Sequence, residues 1–175
     1  MLFRSYCEEL TSVEFPLWIK KIGKQAFYGC SNLTEITLPE WVEEIGERAL
    51  GDCENLKSID LPRWVKKIGK SAFSGCESLT SITIPPSVTE IGKEAFSDCT
   101  SLTSITIPPS VTEIGEETFY DCSSLTSITI PPSVTKIGWY AFYGCSSLTE
   151  VRIPNGCNVD KSAFWNCPNV QIIRY

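Results

Sequence analysis

Cysteine stands at positions 7, 30, 53, 76, 99, 122 and 145, each 23 residues after the last, and Cys167 follows after 22. Numbered from that cysteine, each repeat reads C-x-x-L-T-x-I-x-I-P-x-x-V-x-x-I-G-x-x-A-F-x-G/D. Position 4 carries Leu10, Leu33, Leu56, Leu79, Leu102, Leu125 and Leu148, and position 10 is proline in all seven copies. Position 16 is isoleucine from Ile22 to Ile137, and position 17 is glycine in the same six copies. A fixed period of this length specifies a solenoid, because one such unit cannot bury its own apolar face and must stack on its neighbours. Positions 1, 4, 7, 9, 13, 16, 20 and 21 form the inward-facing set. The chain therefore reads as one domain, 1–175, with repeats 7–29, 30–52, 53–75, 76–98, 99–121, 122–144 and 145–166 and partial repeats 1–6 and 167–175.

Within a repeat, T-S-I-T-I alternates polar and β-branched apolar residues, the signature of a half-buried strand. Ile82 and Ile84 are expected to face inward while Ser81 and Thr83 face out. Pro85 ends that strand because it has no N–H to donate. V-T-E-I is a second short extended segment. Gly92 is expected at a turn that needs positive φ, and K-E-A-F-S-D at a tight helical turn or loop that inserts Ala95 and Phe96 into the core. In-register stacking at about 4.8 Å per rung gives seven turns a length of about 35 Å, with two parallel sheets.

Composition narrows the function classes. Net charge is −6 with lysine and glutamate interspersed, so there is no basic stripe to neutralise phosphates, and nucleic acid is not an expected partner. There is no histidine, which removes histidine acid–base catalysis, histidine triads and histidine metal ligation. No segment approaches the apolar length of a membrane helix, and the first residues, MLFRSYCEEL, lack a signal-peptide pattern. No phosphate-binding glycine loop, paired-carboxylate cleft or activated nucleophile is present, so neither an enzyme nor a cofactor is expected.

The motif L-x-x-I-x-I-P-x-x-V-x-x-I-G-x-x-A-F-x-x-C resembles the BspA-type leucine-rich repeats, the Treponema pallidum class, over essentially the whole chain. The resemblance implies a mainly β, right-handed, gently curved solenoid and a role in binding. It also implies a secreted or cell-surface setting with adhesion to host surface or matrix proteins. It carries over no catalytic residue, since the family motif consists of core positions. Two departures stand out: Cys157 and Asp160 replace the usual valine and glycine, suggesting a cap, and MLFRSY resembles the tail of a preceding repeat with Phe3 near the usual phenylalanine.

Nine cysteines raise the question of disulfides or metal. No short C-x-x-C spacing exists for a metal cluster, and thiols on successive rungs point the same way, a poor disulfide geometry. They read as a buried file of small apolar groups, with a Cys157–Cys167 bond as the one alternative. Lys20-Lys21, Glu43-Glu44 and Lys66-Lys67 fall on successive rungs, a pattern that fixes which rung stacks on which. Asp52, Asp98 and Asp121, with Glu94, Glu116 and Glu117 near them, offer one turn aspartate per repeat rather than a calcium loop. Asn32-Leu33-Thr34 is a glycosylation sequon, meaningful only in a eukaryotic secretory pathway.

Partner information must lie in positions that vary between copies. Position 12 reads Trp18, Trp41, Trp64, then Ser87, Ser110, Ser133 and Gly156. A position that tolerates serine is expected to be exposed, so three indoles stand in a file; alternatively each covers its neighbouring proline, Pro16, Pro39 or Pro62. Tyr120, Tyr143 and Trp165 share position 22, and Trp139 and Tyr140 occupy positions that are polar elsewhere. These residues make a second aromatic patch of interface-like composition, or packing for a C-terminal cap. The leading expectation is a protein-binding or adhesion module. The alternatives are a structural spacer or engineered scaffold without a specific ligand, and a carbohydrate-binding module acting through the tryptophan file. End-to-end self-association through the exposed sheet ends is also expected.

Overall fold

The computed structural model describes Cys7 and residues 9–175. The expected reading of MLFRSY as a repeat tail lies outside the described residues. Thirteen short strands run parallel in two files along a solenoid of about seven turns. The first file stacks Lys21–Ile22, Glu44–Ile45, Lys67–Ile68, Glu90–Ile91, Glu113–Ile114, Lys136–Ile137 and Asn158–Val159. The second stacks Ser58–Asp60, Ser81–Thr83, Ser104–Ile105, Ser127–Thr129, Glu150–Ile153 and Gln171–Arg174. Pairs such as Ile45 with Ile68 and Ile59 with Ile82 are 23 residues apart, so the sequence period is the rung period. Each file is interrupted once, and four hydrogen-bonded sheets result where two were expected.

Strand polarity follows the alternation. Ser81 and Thr83 are exposed while Ile82 and Ile84 are buried. The inward set closes into one core in which Leu33, Leu56, Leu79, Leu102, Leu125 and Leu148 are fully buried. A phenylalanine stack runs through it from Phe73 to Phe164, with ring centroids 5.1–5.5 Å apart. Identical side chains on consecutive rungs meet their own copies, so a shape that packs once packs along the whole length.

The A-F segment takes the loop form of the two expected: no described residue is helical. Its N–H groups alternate between two kinds of partner. Ala26, Tyr28 and Cys30 donate back within their own turn to the carbonyls of Gly23, Gln25 and Phe27, at 3.2–3.3 Å. Gln25, Phe27 and Gly29 donate forward to Glu47, Ala49 and Gly51 of the next rung, at 2.8–2.9 Å. This alternation requires left-handed residues at positions 19 and 23. Gln25, Arg48, Ser71, Glu94, Glu117 and Tyr140 have φ between 50° and 58°. Gly29, Gly75 and Gly144 have φ of 71–73°, and Asp52, Asp98, Asp121 and Asn166 fill the same place with φ of 51–61°. Position 23 is Gly, Asp or Asn because those residues tolerate this conformation.

Gly92 and its equivalents recur along the chain for another reason than the one expected. Their φ is not positive. A Cβ on Gly69 would lie 2.6 Å from the carbonyl carbon of Gly46, and one on Gly92 would lie 2.5 Å from the Lys70 nitrogen. Adjacent backbones approach too closely there for any side chain. At Gly115 the nearest such atom is 3.5 Å away, ordinary contact.

The thiols form the expected file, and none of the nine cysteines is in a disulfide. The Cys157–Cys167 alternative is not realised. Cys157 takes the valine place on the first file, whereas Cys167 continues the thiol file at the turn. The Sγ of Cys53, Cys99, Cys122, Cys145 and Cys167 donates to the carbonyl of Phe27, Phe73, Phe96, Phe119 and Phe142, one rung back, at 2.9–3.2 Å. Burial is the main cause pushing the Cys30 and Cys53 thiols up to about 12, and it raises Cys76 and Cys99 well above the ordinary value.

Two outcomes follow. Gly69→Ala is expected to cost about 1–3 kcal/mol through backbone overpacking, while Gly115→Ala is neutral or stabilising because it only restricts the unfolded chain; urea unfolding of both variants measures the difference. At pH 8 a thiol-specific chromophoric reagent should modify Cys30, Cys53, Cys76 and Cys99 of the folded protein slowly, since almost none of a thiol with so high a pKa is thiolate. In denaturant without reductant it should count nine thiols.

Candidate functional site

Position 12 lies on the turn that follows the proline. Where it is serine, the residue is half-buried rather than exposed. Ser87 Oγ lies 2.7 Å from the carbonyls of both Arg63 and Val65, which share its proton, and Ser110 is placed alike against Pro86 and Val88. The hydroxyl stitches the turn to the rung before it. The bulky indole carries its one N–H at the far side of a rigid ring and cannot take the place of a short hydroxyl there; tryptophan stands outward. Trp18 is 77% exposed, Trp41 51% and Trp64 44%. Trp41 and Trp64 stack with centroids 6.4 Å apart and planes 14° from parallel. Arg63 sits 5.4 Å above the Trp64 ring and pairs with Glu40 at 2.6 Å. Leu17, 81% exposed, extends the apolar surface beyond Trp18. Three indoles and a leucine outside the core are an unusual concentration of exposed apolar area on one edge.

The second cluster is continuous. Tyr120 and Tyr143 stack at 4.9 Å, and Tyr140 touches Trp139 at 4.7 Å, Tyr143 at 5.3 Å and Trp165 at 5.7 Å. All five residues expected in this patch are thus brought together. Tyr28 lies at the other end of the solenoid. Trp139 takes the place where Lys24, Glu47, Lys70, Lys93 and Glu116 stand on other rungs. The Glu116 carboxyl is held below the usual carboxylate range, first by its hydrogen bond from Lys93 and in part by one from Trp139. A groove of about 570 Å³ separates Trp139 from Trp165, with Lys136, Asp160, Lys161 and Ser162 along it.

Charged side chains bridge neighbouring rungs in columns. Lys21 pairs with Glu44, Lys66 with Glu43, Lys67 with Glu90 and Lys136 with Glu113, at 2.8–2.9 Å. All lie at the surface, and each pair alone contributes little. The C-terminal end is closed by Arg174, which donates to the carbonyls of Pro154 and Cys157 at 3.0 Å, and by Tyr175, whose hydroxyl donates to Ile130 at 2.6 Å. Among the described residues no group of three or more Cys, Asp or Glu side chains is arranged to hold a metal ion.

The family model for the BspA type leucine rich repeat region matches residues 2–119 and 44–171, with six copies. The chain belongs to the BspA-type leucine-rich repeat family. A leucine-rich repeat protein from Bacteroides ovatus matches with 31% identity and a TM-score of 0.74, over 96% of this chain and 56% of its own. The T. pallidum leucine-rich repeat protein matches with 28% identity and a TM-score of 0.75, over 97% of this chain and 77% of its own. A leucine-rich cell surface protein from Faecalibacterium prausnitzii matches with 29% identity and a TM-score of 0.53, over 97% of this chain and 60% of its own. This BspA-type chain therefore spans little more than half the length of the Bacteroides ovatus protein. No curated protein matches it.

Sequence reasoning found both aromatic groups and missed the serine stitch. The signal was present in the choice of serine, rather than any small residue, at three successive copies of position 12.

If the stitch acts as described, Ser110→Ala should lower stability by about 1 kcal/mol, the net value of a typical hydrogen bond. Thermal unfolding of that variant beside Ser101→Ala, a serine of the same repeat outside the stitch, checks it.

Proposed function

We propose that this BspA-type solenoid is a non-enzymatic module that recognises a protein surface, displayed at the cell surface for adhesion. The observation that carries the reading is the Trp18–Trp41–Trp64 file, exposed on a rigid edge and flanked by the Arg63–Glu40 pair. Aromatic anchors with an arginine beside them supply most of the energy in protein interfaces. A stacked core supplies the rest of the mechanism: side chains on successive rungs keep fixed spacing, so contacts across several rungs add with little ordering cost. The Trp139–Tyr140–Trp165 patch would serve as a second contact area. A surface location is supported by the Faecalibacterium prausnitzii relative, which is a leucine-rich cell surface protein.

The geometry favours protein over carbohydrate at the tryptophan file. Sugars stack on a free ring face. Trp41 and Trp64 turn faces toward each other and offer mainly their rims, which suits insertion against an apolar protein surface.

The test is the triple variant Trp18→Ser, Trp41→Ser, Trp64→Ser. Serine is the residue other copies use there, so unfolding should be unchanged or shifted slightly upward. Immobilised wild type and variant are exposed to the same host surface-protein extract and to a glycan array. The expected result is a set of proteins retained by wild type and lost from the variant, at least about tenfold for anchors of this kind. Equal retention by both proteins would remove the file from the proposal, and glycan binding lost with the tryptophans would replace the protein reading.

A further inference from the structure

The rungs are not equally joined. Along the first file the ladder runs unbroken from Lys21–Ile22 to Glu90–Ile91 and again from Glu113–Ile114 to Asn158–Val159, but does not cross between Glu90–Ile91 and Glu113–Ile114. Along the second file it stops between Ser104–Ile105 and Ser127–Thr129. Both interruptions flank one segment, residues 106–112. The strands before it are paired backward, and those after it are paired forward.

Three further features fall at this junction. In the exposed column containing Lys21, Glu44, Lys67, Glu90, Glu113 and Lys136, charge alternates everywhere except at Glu90 and Glu113. Each of these turns away from the other: Glu90 pairs back to Lys67 and Glu113 pairs forward to Lys136, both at 2.8 Å. The same two repeats place Glu94 next to Glu117 and Asp98 next to Asp121. Burial, then Glu94 and Glu116, raises the Glu117 carboxyl, and burial, then Asp98, raises Asp121. Second, position 20, alanine elsewhere, is the fully buried Thr118, whose Oγ1 donates to the Gly115 carbonyl at 3.0 Å. Third, Gly115 has the wide 3.5 Å clearance, whereas Gly92 before it and Gly138 after it have 2.5 and 2.9 Å.

The A-F edge stays closed across the junction. Glu94, Phe96 and Asp98 donate to Glu116, Thr118 and Tyr120 at 2.8–3.0 Å, Phe96 stacks on Phe119 at 5.5 Å, and Lys93 pairs with Glu116 at 2.7 Å. On the proline edge the Ser110 bonds to Pro86 and Val88 still tie the turn. Beside the second file, Thr126 keeps a long bond to the Thr103 carbonyl at 3.4 Å, against 2.9 Å for Thr149 to Thr126 on the next rung.

We propose that the solenoid carries a built-in joint at residues 106–112, opened by the Glu90–Glu113 mismatch and hinged on the continuous A-F edge. The joint divides the chain into two stiff blocks. One bears Trp18, Trp41 and Trp64; the other bears Tyr120, Trp139, Tyr140, Tyr143 and Trp165. If both surfaces bind, as proposed above, the joint lets them adjust to one partner that spans them. The joint itself does not depend on that reading.

The test is amide hydrogen exchange of the full chain followed by NMR, which needs no partner. The Gly115 N–H should exchange at least about tenfold faster than those of Gly92 and Gly138, which donate to Ile68 and Ile114 at 2.9 Å. The double variant Glu113→Lys, Lys136→Glu keeps the composition and net charge and removes the mismatch between Glu90 and position 113. It should slow Gly115 exchange to the rate of its neighbours. Equal rates at Gly92, Gly115 and Gly138 in the wild type would overturn the joint. Unchanged Gly115 exchange in the double variant would overturn its electrostatic cause.

Discussion

Adjacent turns of this protein touch backbone to backbone. At Gly46, Gly69, Gly92 and Gly138 the preceding rung leaves no room for a Cβ, the closest atoms standing 2.5–2.9 Å from where one would be. Those contacts mark rungs stacked in phase, and the rest depends on that phase. Because each copy meets its own copy, the A-F segment donates alternate N–H groups forward, the cysteine thiols reach the carbonyls one rung back and the phenylalanine rings stack, even at Gly115, where the backbones stand farther apart. A parallel stack with every rung in phase has no long-range puzzle of topology; it has one local fit repeated, and stability accumulates from neighbour to neighbour.

This explains how much was legible in the sequence. The period, the inward set and the strand alternation follow from apolar spacing, and the family motif covers them all. The reason for glycine at position 17 was not legible. A glycine in a turn-like context suggests positive φ, yet here the left-handed residues are Gln25, Arg48, Ser71, Glu94, Glu117 and Tyr140, whose types advertise nothing of the kind. Their conformation is imposed by the hydrogen-bond alternation with the next rung, which no single repeat contains. The same cause decides between the helical turn and the loop that the sequence left open for the A-F segment: its N–H groups are satisfied half by its own turn and half by a neighbour, so it is a loop.

The candidate surfaces were legible for a related reason. In an array built from one sentence, a residue that breaks the pattern is visible at once. The core rule says where a side chain must point, so the string of letters alone singles out Trp18, Trp41 and Trp64 at an outward position and Trp139 and Tyr140 at polar ones. Their mutual geometry is not written there. The face-to-face stacking of Trp41 on Trp64, the run of contacts through Tyr140 and the charge mismatch at Glu90 and Glu113 all involve residues a rung apart. They appear only when the rungs are laid side by side.

Stacking in phase is the claim beneath all of this, and contacts between backbone protons in solution test it most directly. In a uniformly labelled sample, nuclear Overhauser contacts should connect the strand protons of Ile82 with those of Ile59 and Ile105, and those of Ile137 with Ile114 and Val159. Contacts confined to residues within one repeat, or joining residues two repeats apart, would contradict the stack and everything derived from it.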